Sequence, residues 1–256
     1  MTRRIPRALS SVLIGVALSG PAADSASPPP RFSGVAPGIA YAMFQVVPSD
    51  AEPFSGHAFR VDLDVAELHL VPAGAPASRR TVEQIAAPYP AAVAVNASFF
   101  DHEGRAMGLA VDRGRLLARG KRQSWGALIV NDERARIVLG VDIKDPPAHR
   151  VIVQGIPRLV VGGTVPRLKP QVAERTAVCA NGAVIILVVS TRAEATPFAR
   201  FLADAPDKGG LGCSDALNLD GGLSTQLVVK LPSLRLSVPG GWEVPNALVV
   251  VPGKTR

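Results

Sequence analysis

The sequence predicts a single α+β domain, rich in strands, with a mixed or antiparallel sheet and a few short helices. Three observations lead there. Short apolar runs alternate with polar residues at a period of two, turn dipeptides separate them, and helical periodicity is confined to two brief segments. No internal repeat or linker interrupts the series, so residues 39–256 form one unit.

Residues 41–47 and 59–71 alternate, with Arg60, Asp62, Asp64 and Glu67 set between Val61, Leu63, Val65 and Leu68, and read as a half-exposed antiparallel pair. Residues 81–87 are a short helix with Ser78 as candidate N-cap and Pro88 as stop. An apolar strand at 91–95 runs into Asn96. Hairpins follow: 109–111 with 116–118 around Asp112-Arg113-Gly114, and 125–130 with 135–141 around Asn131-Asp132. Pro157 makes 151–161 an edge strand or one that ends early. Residues 177–179 and 183–190 pair around Asn181-Gly182, the second arm apolar throughout and therefore central. Residues 196–204 are the strongest helix, with Thr196 as N-cap and Phe198, Phe201 and Leu202 on one face. Strands at 217–219, 226–229 and 247–251 complete the chain.

With 256 residues, 47% of them hydrophobic and 19% charged, the chain can fill a sizeable core, which excludes a disordered or collagen-like protein. The formal charge of +7 suggests an anionic partner. Part of it belongs to residues 1–25, where Arg3, Arg4 and Arg7 precede an apolar run ending in small residues, as in a signal peptide. The run is too short to span a bilayer, so no stable membrane insertion is expected after cleavage. Losing that segment would leave +5. Residues 26–38, rich in Pro and Ser, read as a leader, and the protein as exported to the periplasm or secreted. Export permits a Cys179–Cys213 disulfide, although two buried thiols are an equal reading. The basic stretch Arg113, Arg115, Arg119, Lys121 and Arg122 contains only Trp125 as a stacking aromatic, which argues against nucleic acid. It is either a solvated hairpin face or an attractor of polyanionic glycans.

Two segments carry chemistry. Asn96-Ala97-Ser98-Phe99-Phe100-Asp101 follows a buried strand and delivers an amide, a hydroxyl and a carboxylate into one loop. Asp215 to Thr225 places Asn218 and Asp220 on one side of a strand, followed by glycines whose N–H groups can approach a ligand and by two hydroxyls. The order NASFFD, VQGIPRLVVGG, ERTAV and LGCSDALNLDGGLST resembles the phosphodiester glycosidase family across roughly residues 41–251. The family's patterns are NGG(F/Y)F, QGGP, RTA and DGGGS(S/T). Ala97, Ser98, Ile156 and Leu223 stand where those patterns have glycines.

The resemblance implies hydrolysis between the anomeric carbon of a sugar and a phosphodiester oxygen, on a sugar-1-phosphodiester or phosphate-bearing envelope glycan. It carries over Asn96, Phe99, Phe100, Gln154, Gly155, Arg175, Thr176, Asp220, Gly221, Gly222, Ser224 and Thr225 as the matching positions. Phosphate is a good leaving group, so one carboxylate and one cation could suffice. Asp220 is expected to activate water or stabilise the developing positive carbon, and Arg175 to pair with phosphate oxygens. Asn96, Ser224 and Thr225 would bind sugar hydroxyls, with Gln154, Phe100, Thr176, Gly221 and Gly222 in the same cleft. Asp101 is the second carboxylate. His57, His69, His102 and His149 are scattered, so no metal or other cofactor is expected. Two alternatives differ in class. One is a phosphodiesterase in which Asp220 and Asp101 hold a divalent cation and the P–O bond breaks. The other is a glycan-binding protein whose cleft Leu223 and Ser98 fill.

Overall fold

The computed structural model describes residues 29–120, 122–131 and 134–253, so the expected signal segment at 1–25 lies outside the described residues. The first strands are β1 (Ser33–Ala36), β2 (Ile39–Val46), β3 (Phe54–Asp62) and β4 (Glu67–Pro72), followed by helix α1 (Val82–Ile85) and β5 (Ala92–Asn96). Hairpin β6 (Leu109–Asp112) and β7 (Arg115–Arg119) precedes hairpin β8 (Gly126–Asn131) and β9 (Arg134–Leu139). Then come β10 (Val151–Gly155), β11 (Arg158–Val160), β12 (Val172–Asn181), β13 (Val184–Glu194) and α2 (Ala195–Ala203). The series closes with β14 (Asp215–Asn218), β15 (Leu227–Lys230), β16 (Arg235–Val238) and β17 (Asn246–Val251).

These strands form a seven-stranded sheet of order β1-β2-β3-β13-β12-β14-β11 and two five-stranded sheets, β7-β6-β10-β8-β9 and β16-β15-β5-β17-β4. Every pairing is antiparallel. The expected α+β class therefore fits only loosely: the protein is mostly β, with α1 and α2 as short helices beside the sheets.

One core joins the three sheets. Phe59, Val61, Ile185 and Leu187 of the large sheet meet Leu128, Val151 and Val153 of the second and Val95, Leu227 and Leu248 of the third. Strands that read as apolar throughout are buried on both faces. In β13, Ile185, Leu187 and Val189 face this core, while Ile186 and Val188 face a second one under α2. There Phe198, Phe201 and Leu202 of α2 pack on Phe44 and Phe54, with rings of Phe44 and Phe201 4.5 Å apart. Helix α1 covers the outer side of β5, β15 and β17 through Val82 and Ile85.

Several expectations change. Residues 59–71 are not one strand. Asp62 accepts N–H groups from Val65 and Ala66, and its side chain accepts from Asp64, so the chain turns and β4 enters another sheet beside β17. The leader assigned to 26–38 contains β1, which pairs with β2. Thr81, not Ser78, caps α1, in a capping box with Gln84. Glu194, not Thr196, is the cap position of α2, because β13 runs into the helix without a loop. β16 was not read from the sequence at all. The break at Pro157 holds: β10 is central in its sheet, the Ile156–Pro157 bond is cis, and β11 resumes at the edge of the seven-stranded sheet. Cys179 and Cys213 are joined in a disulfide with Cα atoms 5.6 Å apart, which closes the alternative left open.

Candidate functional site

β14 delivers Asn218 to the end of the seven-stranded sheet, and the chain then leaves it as Leu219-Asp220-Gly221-Gly222 before a short 3₁₀ turn at Gly222–Ser224. The exit is fixed from three directions. Asp220 N–H donates to the Ala97 carbonyl at 3.1 Å, Leu219 N–H to Thr176 at 2.9 Å, and Asn218 N–H to Pro157 at 3.0 Å. The four segments singled out in the sequence thus converge on one loop.

Asp220 lines a cavity of about 570 Å³ together with Phe99, Glu174, Arg175, Asn218 and Gly221. Burial pushes its carboxyl pKa up, opposed by hydrogen bonds from the Ser224 side chain and from Gly221 N–H at 3.0 Å. A carboxylate held this way accepts a proton more readily than one in water. Gly221 is needed for contact: a Cβ there would lie 2.7 Å from the Glu174 carbonyl oxygen. Gly222 is needed for conformation, at φ +60°.

Arg175 lines the same cavity but is buried, and burial lowers its pKa. Its guanidinium is largely committed. Nε donates to the Ala193 carbonyl at 3.2 Å and Nη2 to the Gln171 carbonyl, leaving Nη1 with a 3.5 Å contact to Gln171 Oε1. The exposed cations on the rim are Arg167 and Lys169, from the segment between β11 and β12. Sequence reasoning missed both, and it missed Glu174, a second carboxylate on the cavity wall. Glu174 faces an irregular stretch of β13 where Thr191 and Arg192 interrupt the pairing register. Its place beside Arg175 was the available signal. Asn218, noted for its side of the strand, brings a buried Oδ1 without a partner, while its Nδ2 donates to Ile156 and Leu219 carbonyls.

Other expected site residues lie elsewhere. Asn96 is fully buried: Nδ2 donates to the Asp220 carbonyl at 2.7 Å, and Oδ1 accepts the Thr176 hydroxyl at 2.7 Å and Gln226 N–H at 3.1 Å. Asn96 and Thr176 therefore hold the loop and do not line the Asp220 cavity. Gln154 is likewise buried, accepting N–H groups of Leu109 and Arg122 and donating to the Arg122 carbonyl. Asp101 lines another cavity with Phe100 and Trp242. Its carboxylate accepts N–H groups from Arg105 and Glu103 and pairs with the Arg105 side chain, contacts that hold its pKa low, the Arg105 backbone N–H first. The structure separates it from Asp220. Thr225 is buried beside the loop on its other flank, and Trp125 packs edge-on against Phe99 instead of offering a stacking surface.

The positions where glycines were replaced leave the cavity open. Ala97 is buried, Ser98 exchanges hydrogen bonds with Asn246, and Leu223 points to the opposite flank of the loop. Only Ile156 reaches the Asp220 cavity.

The phosphodiester glycosidase family profile matches residues 89–251, from just before β5 through the end of β17. The chain belongs to this family. β1 to β4 precede the matched region and complete two of the three sheets. No curated protein matches the sequence. Among solved structures, this chain is similar to the catalytic domain of zebrafish N-acetylglucosamine-1-phosphodiester alpha-N-acetylglucosaminidase, auto-inhibited by its pro-peptide. The TM-score is 0.64 at 19% identity, covering 90% of this chain and 88% of that one. A hypothetical protein from Synechocystis gives a TM-score of 0.58 at 18% identity, covering 84% and 62%. At these identities the likeness establishes the fold.

Proposed function

We infer that the protein is an exported hydrolase that cleaves the bond between the anomeric carbon of a sugar and the oxygen of a phosphodiester, in envelope polysaccharide turnover. Membership of the phosphodiester glycosidase family supports the reaction class. The observation that carries the reading is Asp220, a carboxylate with a raised pKa, in a cavity whose other charged walls are Glu174, Arg167, Lys169 and Arg175. Asp220 takes the proton of the attacking water or faces the developing positive carbon, with Glu174 as the second carboxylate. Arg167 and Lys169 meet the phosphate, and Arg175 contributes through Nη1. Ser224 acts by fixing Asp220, and the Gly221-Gly222 backbone lets the substrate approach closely. The Cys179–Cys213 disulfide suits an oxidising compartment, which supports export.

The metal-dependent alternative required Asp220 and Asp101 to share an ion. These carboxylates line different cavities, and Asp101 is already engaged by Arg105 and Glu103, so the pair does not fit that role. The glycan-binding alternative relied on Ser98 and Leu223 filling the cleft, and neither lines the cavity. Hydrolysis of sugar-1-phosphodiesters in ¹⁸O-water tests the proposal. Label is expected at the anomeric hydroxyl; label in the phosphate product would show P–O cleavage and overturn it.

A further inference from the structure

A second cavity, of about 450 Å³, shares Glu174 and Gly222 with the Asp220 cavity, so the two meet along the ridge where Gly221 packs on the Glu174 backbone. Their chemistry is opposite. The Asp220 side carries both carboxylates and three cations, whereas the second is walled by Met43, Val189, Leu223 and Val238, with Glu174 its one formally charged residue among the described residues. Met43 and Leu223 are 69% and 54% exposed, so apolar surface converges there uncovered by the described residues.

Three of the polar side chains in this groove are already occupied within the protein. His57 Nδ1 bonds the Tyr41 hydroxyl at 2.9 Å, Ser190 donates to the Thr191 carbonyl at 2.9 Å, and Thr191 Oγ1 bonds the Ser55 backbone at 3.0 and 3.2 Å. Those three groups are not free to bind a sugar. Thr225 Oγ1, in the loop that forms the ridge, is buried without a partner. Leu223 stands where the family pattern has a glycine, so this wall is made by a departure of this chain.

We propose that the groove takes the alcohol half of the substrate, and that the phosphodiester joins the sugar to a long alkyl or isoprenoid chain. This rests on the glycosidase reading of the Asp220 cavity. The sugar lies beside Asp220, the phosphate meets the cations, and the chain crosses the ridge onto Leu223 and Met43. Water oxygen bonds to the anomeric carbon and the carbon–oxygen bond to phosphate breaks, its electron pair leaving with the phosphate. The proton lost by water goes to Asp220. A free sugar and an alkyl phosphate monoester result.

The test compares methyl and decyl sugar-1-phosphodiesters of the same sugars with the full chain. The kcat/KM ratio of decyl to methyl ester is expected to be about tenfold or more, and Leu223→Asp or Met43→Asp to reduce it by a similar factor. Both side chains are exposed, so these variants keep the fold. A ratio near one, or a ratio the variants do not change, would overturn the inference while leaving the glycosidase reading intact. Turnover of no ester would count against the glycosidase reading, and the groove would then be judged by calorimetric titration with decyl phosphate. Binding weakened about tenfold by Leu223→Asp supports the apolar subsite, and absent or unchanged binding overturns it.

Discussion

Asn96 Nδ2 donates to the backbone carbonyl of Asp220 at 2.7 Å across 124 residues of chain, which joins the end of β5 to the loop after β14. Asn96 Oδ1 accepts the Thr176 hydroxyl and Gln226 N–H, so one buried side chain ties four segments together. Buried polar groups are costly when left unpaired.

Asn96→Ala strands three such groups. The loss is expected to be about 3 kcal/mol, or roughly 6–12 °C in Tm for a chain of this size. Thermal and urea unfolding measure it. A stability within about 0.5 kcal/mol of the wild type would mean that the amide is free for substrate after all.

Asp220 has a raised pKa in the folded protein, so the folded state binds its proton more readily than the unfolded one. Stability from this group therefore falls as pH rises from about 4 through the folded pKa, and the penalty persists above it. Asp220→Asn is expected to have a higher Tm than wild type at pH 7, the difference closing as the pH is lowered below about 4. Activity on a sugar-1-phosphodiester should fall about 10²- to 10⁴-fold. Near-normal activity would remove Asp220 from the chemistry.

Gly221→Ala places a methyl group 2.7 Å from the Glu174 carbonyl. The loop must shift, at a cost of about 1–3 kcal/mol, and misplacement of Asp220 is expected to lower kcat by up to roughly 10²-fold. Gly222→Ala meets open space and a strained φ instead, so its effect should appear mainly in stability. Parallel kinetics and melting curves separate the two, and equal kcat losses would contradict the close-contact role of Gly221.

The disulfide closes a separation of 34 residues, and neither cysteine lines either cavity beside the loop. Replacing both with Ala is expected to cost about 3–4 kcal/mol while kcat/KM below the melting transition stays unchanged. Urea midpoints with and without reductant check the first part, and an altered KM would link the bridge to the site.

Local pattern was enough for most of the strands. Turn residues at Asp112-Arg113-Gly114 and Asn181-Gly182 marked hairpins, and the unbroken apolar run before Ser190 marked a strand buried on both faces. Strand membership was not legible. Residues 59–71 keep one alternating pattern through the Asp62 turn, yet β3 and β4 belong to different sheets, because period two records exposure and not the identity of the neighbour.

The sequence by itself determined the family, the largely stranded fold and the Asp220-Gly221-Gly222 loop, since these rest on adjacent residues and turn chemistry. Tertiary structure decided which polar residues face a ligand. Asn96, Gln154 and Thr176 look like site residues in a linear motif, but their hydrogen bonds go to backbone and side chains brought together only by folding. Glu174, Arg167 and Lys169 reach the cavity without any motif to announce them. A buried amide that braces a loop and one that binds a sugar are written with the same letter, and only the location of their partners tells them apart.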